Sequence, residues 1–315
     1  MRRAIISGAT GAVGMALIDK LIREQVEVLV LCRRNSARTE QLPKHPLLHR
    51  LEADLEEYEG LENDTGKKWD VFYHLAWAGT VGAARNDTAI QMQNAVYTLD
   101  AVRLASRFGC ETFIGAGSQA EYGRYEGCLN ARTPAFPETG YGIAKLAAGQ
   151  MSRLLCGQLG IKHIWVRILS VYGPYDGMQS MVMSAIGKFL NGESPSFTKG
   201  EQKWDYLYSR DAARALYLLG EKGKDGRVYC LGSGQAAPLK EYIFQIRDAI
   251  PWAEDIQPGL GEIPYSPGQV MYLCADIGEL HSDTGFMPEI SFAEGIRDTI
   301  EYVKAKRQIT AADGE

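Results

Sequence analysis

Gly8-Ala9-Thr10-Gly11-Ala12-Val13-Gly14 is the stretch whose reading decides the fold. Before it stands a short apolar run, Ala4-Ile5-Ile6. After it, Leu17, Ile18, Leu21 and Ile22 share one face of a helix read from Met15 to Ile22. Val26 to Leu31, rich in valine and leucine, then has the character of a parallel strand covered on both faces. Strand, glycine turn, helix and strand make a βαβ unit. Its glycines serve three ends: a tight bend, close approach of backbone to a phosphate, and close packing of helix on strand. The N–H groups at the start of the helix then face an anion. The unit predicts a dinucleotide site at Gly8, Thr10, Gly11, Ala12, Val13 and Gly14; the alternative is a tight turn in an α/β protein without a cofactor.

The alternation continues outward. Leu48 to Leu51 reads as a weak strand, Val71 to Leu75 as a stronger one, Ala95 to Phe108 as a helix and Thr112 to Gly115 as a strand. Tyr141 to Leu159 reads as a long helix and His163 to Ile168 as the next strand. Parallel strands require such crossovers, so the pattern predicts an α/β, Rossmann-like, doubly wound parallel sheet. After Tyr172-Gly173-Pro174 the regularity ends, with helices over Gln179 to Leu190 and Asp211 to Leu219 and a late strand, Val228 to Leu231. Gly and Pro cluster between Pro251 and Gly268, and a last helix, Phe292 to Val303, precedes a polar tail expected to fray. An NAD(P)-binding Rossmann domain over residues 1–172, joined again by 204–232, and a smaller C-terminal α/β substrate lobe over 173–315 are expected.

Composition narrows the class of function. The chain has 315 residues, 45% hydrophobic and 23% charged, which suits a folded globular protein, and a formal net charge of −5. No basic helix or basic–aromatic stripe points to nucleic acid. No apolar run approaches the roughly 18 residues of a membrane span. Ser7, the glycines and Asp19-Lys20 interrupt any signal-peptide core after Met1-Arg2-Arg3, so the cytoplasm is the expected location. The six cysteines lack a Cys-x-x-Cys pair and the five histidines form no cluster, so no metal is expected.

The end of the second strand bears on the cofactor. An acid there would hold the ribose 2′-hydroxyl of NAD, but the chain reads Cys32-Arg33-Arg34-Asn35-Ser36. Guanidinium forks at Arg33 and Arg34 suit a 2′-phosphate and favour NADP, with NAD the second choice; the bland reading is two solvated arginines. Asp54-Leu55 can offer a carboxylate to the adenine amino group and an apolar wall to its ring, while Asp54 can equally cap a helix. Tyr141 and Lys145 stand at i and i+4, one above the other on a helix. A phenol titrates near 10, and a neighbouring ammonium lowers that value by favouring the phenolate, which makes Tyr141 a usable acid or base. That spacing alone is common by chance. Asp211 reads as the N-cap of the helix Ala212 to Leu219.

Six motifs in order give the pair a context: the glycine turn; Asp70-Val71-Phe72-Tyr73-His74-Leu75-Ala76; Ser118-Gln119-Ala120-Glu121-Tyr122-Gly123; Tyr141 to Lys145; Arg167 to Pro174; and Trp204-Asp205-Tyr206 before Asp211. Nearly the whole chain resembles the extended short-chain dehydrogenase/reductase family, the nucleotide-sugar epimerases, dehydratases and reductases. The resemblance implies that Tyr141 exchanges a proton with a sugar hydroxyl or carbonyl while the nicotinamide exchanges hydride. It implies that Lys145 holds the nicotinamide ribose and tunes Tyr141, and that Ser118 hydrogen-bonds the reacting oxygen. Leu75, Ala76, Trp77 and Ile168 would line the cofactor with Tyr141 and Lys145, Gln119 and Ser170 would face substrate, and His74 would pack behind the cofactor loop. A homodimer built on the helices Ala95 to Phe108 and Tyr141 to Leu159 is implied in the same way.

Departures from the family narrow the reaction. The 4,6-dehydratases carry an Asp-Glu pair where this chain has Gln119 and Ala120, which disfavours dehydration, and Ser170 replaces the usual Asn. His74-Leu75-Ala76-Trp77 looks like the CDP-deoxysugar 4-ketoreductases such as abequose and paratose synthases. The expected function is NADP-dependent reduction of a nucleotide-linked 4-keto-deoxysugar. The alternatives are an NAD(P)-dependent nucleotide-sugar epimerase and a non-catalytic NADP-binding regulatory protein.

Overall fold

The computed structural model describes residues 1–312. Alternation along the first two strands sets the layers. In β1 (Arg3–Ser7), Ala4 and Ile6 join one buried cluster and Ile5 the opposite one; in β2 (Glu27–Cys32), Val28 and Val30 go with the former and Leu29 and Leu31 with the latter. The sheet is therefore covered on both faces. It is completed by β3 (Leu48–Glu52), β4 (Val71–His74), β5 (Thr112–Ser118), β6 (Lys162–Ile168) and β7 (Arg227–Leu231), all parallel, in the order β7-β6-β5-β4-β1-β2-β3.

One face is closed by α1 (Ala12–Arg23) through Leu17, Ile18 and Leu21, and the other by α2 (Thr88–Arg107) and α3 (Gly140–Leu159) through Ala101, Val102, Leu104 and Cys156. Beyond β6, α4 (Met181–Leu190) contributes Val182, Ile186 and Phe189 to a separate apolar cluster. Next in the chain, α5 (Ser209–Lys222) joins α1 on the first face through Leu216 and Leu219. The separate cluster is completed by Ile243 and Ile246 of α6 (Leu239–Asp248) and, past the short α7 (Gly278–Thr284), by Ile300 of α8 (Phe292–Ala312). No helix among the described residues is long and apolar enough to cross a membrane.

Three local readings are corrected. α2 begins at Thr88 rather than Ala95, because Asp87 caps it by accepting from the N–H groups of Ala89 and Ile90 at 3.0 Å. Its first two turns bury Gln91 and Asn94, and these polar residues mask the apolar period. Asp211 caps nothing: α5 starts at Ser209, and the buried carboxylate accepts from Arg214 at 2.9 Å and from the N–H groups of Glu289 and Ile290 at 3.0 and 2.9 Å. It clamps the chain ahead of α8 onto α5. Finally, α8 runs to Ala312, so the stretch after Val303 expected to fray is helical that far; residues 313–315 lie outside the described residues.

Candidate active site

The C-terminal ends of the parallel strands bring the candidate residues together, as in other open α/β sheets. At the end of β1, Gly8 has φ +74°, and a Cβ there would lie 2.5 Å from the backbone nitrogen of Ala76. A Cβ at Gly14 would lie 2.6 Å from Cα of Ala9. Those two glycines answer to packing. Gly11 is different: a Cβ there would meet nothing within 4 Å, and Gly11 is the N-cap of α1 with no side chain accepting from the helix's first N–H groups. Open space before unspent donors fits a dinucleotide pyrophosphate, with Thr10, Ala12 and Val13 half-buried around it.

At the end of β2 the two arginines part company. Arg34 lies 2.8 Å from Glu57, whose other oxygen accepts from the backbone N–H of Asp54 at 2.7 Å. Arg33 is exposed and has no partner among the described residues. Asp54 caps the short 3₁₀ turn Leu55–Glu57, so its helix-cap reading describes its local role, and Leu55 is half-buried beside it.

The segment after β4 is held from below. Leu75 N–H donates to Ser7 O at 3.0 Å, and buried His74 is 2.8 Å from the Ser7 hydroxyl. Burial lowers His74 to about 3, so the imidazole is neutral and packs behind the glycine turn. Asn94 accepts from Ala78 N–H and donates to Ala78 O, both at 2.9 Å. Gln91 accepts from the Trp77 indole at 2.9 Å and donates to Gly79 O and Ala84 O at 2.8 Å. Two buried amides thus fix Trp77, Ala78 and Gly79, while Ser7 holds Leu75.

Ser118 ends β5 and Tyr141 stands in the first turn of α3. The Ser118 hydroxyl accepts from Ala120 N–H at 3.2 Å, while its own N–H donates to Glu121 at 2.8 Å. Glu121 is fully buried and also accepts from Trp165 at 3.0 Å and Arg167 at 2.6 Å. Lys145 is 3% exposed; it donates to Ala116 O at 2.6 Å and its Nζ sits 3.7 Å from the centre of the Trp77 ring and 5.8 Å from that of Tyr141. Burial pushes Lys145 down to about 7. Burial raises the Tyr141 phenol above its ordinary value, against a hydrogen bond from Ser118 and the charge of Arg85. The expected lowering of Tyr141 by Lys145 is therefore not the governing effect, because desolvation of both groups outweighs it. Ile168 ends β6 half-buried, Ser170 accepts from the Trp204 indole at 2.7 Å, and half-buried Gln119 has no side-chain partner among the described residues.

Sequence reading missed Arg85, Gln91, Asn94, Glu121 and Arg167. Glu121 and Arg167 lay inside quoted motifs, and a charge within an otherwise apolar strand, Ile164-Trp165-Val166-Arg167-Ile168, was the available signal.

A sequence model of the NAD dependent epimerase/dehydratase family matches residues 4–232. The chain belongs to that family. It is 25% identical over 216 residues to the dTDP-glucose 4,6-dehydratase of Streptomyces niveus, covering 68% of this chain and 63% of that protein. The match to the dehydratase of Salmonella typhimurium, 28% identical, covers 57% of this chain and 52% of the relative, so the chain spans only about half to two-thirds of these proteins. A putative UDP-glucose 4-epimerase of Methanocaldococcus jannaschii is 24% identical over 95% of this chain and 98% of its own length. Among solved structures, the UDP-N-acetylglucosamine 4-epimerase of Methanobrevibacter ruminantium superposes with a TM-score of 0.86 at 23% identity, covering 97% of this chain and 99% of that one. RMD from Pseudomonas aeruginosa, solved with NADPH, gives 0.81 at 21% identity over 97% and 100%. These likenesses establish the epimerase/dehydratase fold.

Proposed function

We propose that this member of the family is an NADP-dependent oxidoreductase that reduces a nucleotide-linked 4-keto-deoxysugar. The observation that carries the reading is Arg33, an unpartnered guanidinium at the end of β2 where an NAD enzyme places a carboxylate. Gly11 and the N-terminus of α1 hold the pyrophosphate on a turn that Gly8 and Gly14 pack into place, Asp54 and Leu55 border the adenine, and Leu75, Ala76, Trp77 and Ile168 line the remainder. Bound there, the nicotinamide supplies hydride. Ser118 hydrogen-bonds the carbonyl oxygen, Tyr141 delivers its proton, and Lys145 holds the ribose. Gln119, whose side chain has no partner among the described residues, and Ser170 face the sugar. Residues 1–172 and 204–232 serve the cofactor and 173–315 mainly the substrate. Exposed Met92 and Val96 on α2 and Ile143, Met151 and Leu154 on α3 offer the apolar surface of a homodimer, and the cytoplasm is its compartment.

An epimerase is the second reading, favoured by the end-to-end similarity to the Methanocaldococcus protein. Stoichiometry separates the two. Purified protein given a 4-keto-deoxysugar nucleotide should consume one NADPH per product and sediment as a dimer; product formed without net nicotinamide turnover makes it an epimerase. Arg33→Ala should weaken NADPH binding about tenfold, the loss of one charge-assisted contact at an exposed site, and leave NADH binding unchanged. Unaltered NADPH affinity on titration would remove the 2′-phosphate contact from this reading.

A further inference from the structure

The 3₁₀ turn Gly82–Asn86 carries a cation that none of the quoted motifs contains. The guanidinium carbon of Arg85 lies 4.2 Å from the centre of the Tyr141 ring. Three independent ties fix it there. Arg85 itself donates to Thr80 O at 2.9 Å, Gln91 donates to the carbonyl of the preceding Ala84 at 2.8 Å, and Asn86 accepts from the N–H of Gly140, the first residue of α3, at 3.0 Å. Gly140 lets the two segments meet, since a Cβ there would lie 3.2 Å from Arg85 O. The turn bearing the cation is thus fastened to the helix bearing the phenol.

We propose that Arg85 is a positioning residue for proton transfer, its guanidinium stabilising the phenolate of Tyr141 across the face of the ring. A cation over an aromatic face is attracted by the ring, and more so when the ring carries the phenolate charge. Of the groups facing Tyr141, Ser118 favours the phenolate by a hydrogen bond and Arg85 favours it by charge. From β5 come the neutral Ser118 and, just beyond it, the carboxylate of Glu121, which opposes ionisation of the phenol. Trp77 meets the ring edge-on at 6.0 Å and carries no charge. Lys145, on the helix of Tyr141 itself, donates to Ala116 O and lies over the Trp77 face, and burial brings it to about 7, so near neutrality its charge is partial. A guanidinium stays charged at every pH at which the protein is folded.

The inference rests on Tyr141 as the proton donor, but its test reads the phenol rather than the product. Protein labelled with ¹³Cζ-tyrosine, saturated with NADP or, if only that binds, NAD, is titrated by NMR; the Tyr141 resonance is identified among the 16 tyrosines by its loss in Tyr141→Phe. In Arg85→Gln the midpoint should rise by about one unit, the effect of losing an opposite charge at this range. The limb of the kcat–pH profile belonging to the phenol should move with it. Arg85→Met, which keeps the apolar stem, decides the matter if the glutamine variant does not fold. A midpoint equal to that of the wild type in either folded variant overturns the proposal. An enzyme that proves to epimerise leaves the titration fully informative.

Discussion

Tyr141→Phe is expected to lower kcat about a thousandfold while NADPH binding stays within a few-fold of wild type. That ratio corresponds to about 4 kcal/mol of transition-state stabilisation, the range for a positioned general acid. The structure offers a competitor, which gives the experiment its force. Lys145, brought to about 7 by burial, holds its proton less tightly than a phenol raised above its ordinary value, and on acidity alone it is the better donor near neutrality. Geometry decides against it. Lys145 is 3% exposed, and its protons point into the Ala116 carbonyl and the Trp77 face, whereas Tyr141 is half-buried at the mouth of the site beside Ser118. Single-turnover hydride transfer from a preformed NADPH complex measures the chemical step apart from binding. If Tyr141→Phe keeps more than a tenth of the wild-type rate, with a pH limb near 7, the proton comes from Lys145.

The sequence made some of this legible for physical reasons. The buried strands and the glycine turn could be read because each is a local pattern: apolar runs for strands covered on both faces, and glycine wherever backbone meets backbone or phosphate. The start of α2 could not, because its buried face carries Gln91 and Asn94, whose partners are the backbone groups of another segment. Asp211 misled for a related reason. An Asp ahead of a helical run has the look of a cap, and its true partners, Glu289 and Ile290, are far off in sequence. Motif order pointed to the proposed catalytic side chains, but it held nothing of the electrostatics around them. Arg85 reaches Tyr141 only through the fold, and the desolvation that sets Tyr141 and Lys145 depends on packing, which no i, i+4 spacing contains.

The glycine turn offers a contrast that separates folding from binding within one loop. Gly8→Ala should destabilise the protein by about 3 kcal/mol, combining the strain of a left-handed residue other than glycine with a steric overlap that no rotamer relieves. The overlap is with backbone: the new Cβ would sit 2.5 Å from Ala76 N and 2.6 Å from the Leu75 carbonyl carbon, both in the segment held by Ser7 and Asn94. Relief requires β1 and β4 to part at their ends, which also displaces Trp77 from Lys145. Gly11→Ala should behave oppositely. Its φ of −92° suits any L-residue and its Cβ meets nothing within 4 Å, so denaturant unfolding without cofactor should change by less than about 0.5 kcal/mol. The methyl group instead occupies the space where the pyrophosphate approaches the N-terminus of α1, and dinucleotide affinity should fall about a hundredfold, some 2.7 kcal/mol. Unfolding curves and cofactor titrations on the two variants check both halves. Equal loss of affinity and stability in Gly11→Ala would mean that the open space over that glycine is used for packing, and that the phosphate cradle lies elsewhere on the loop.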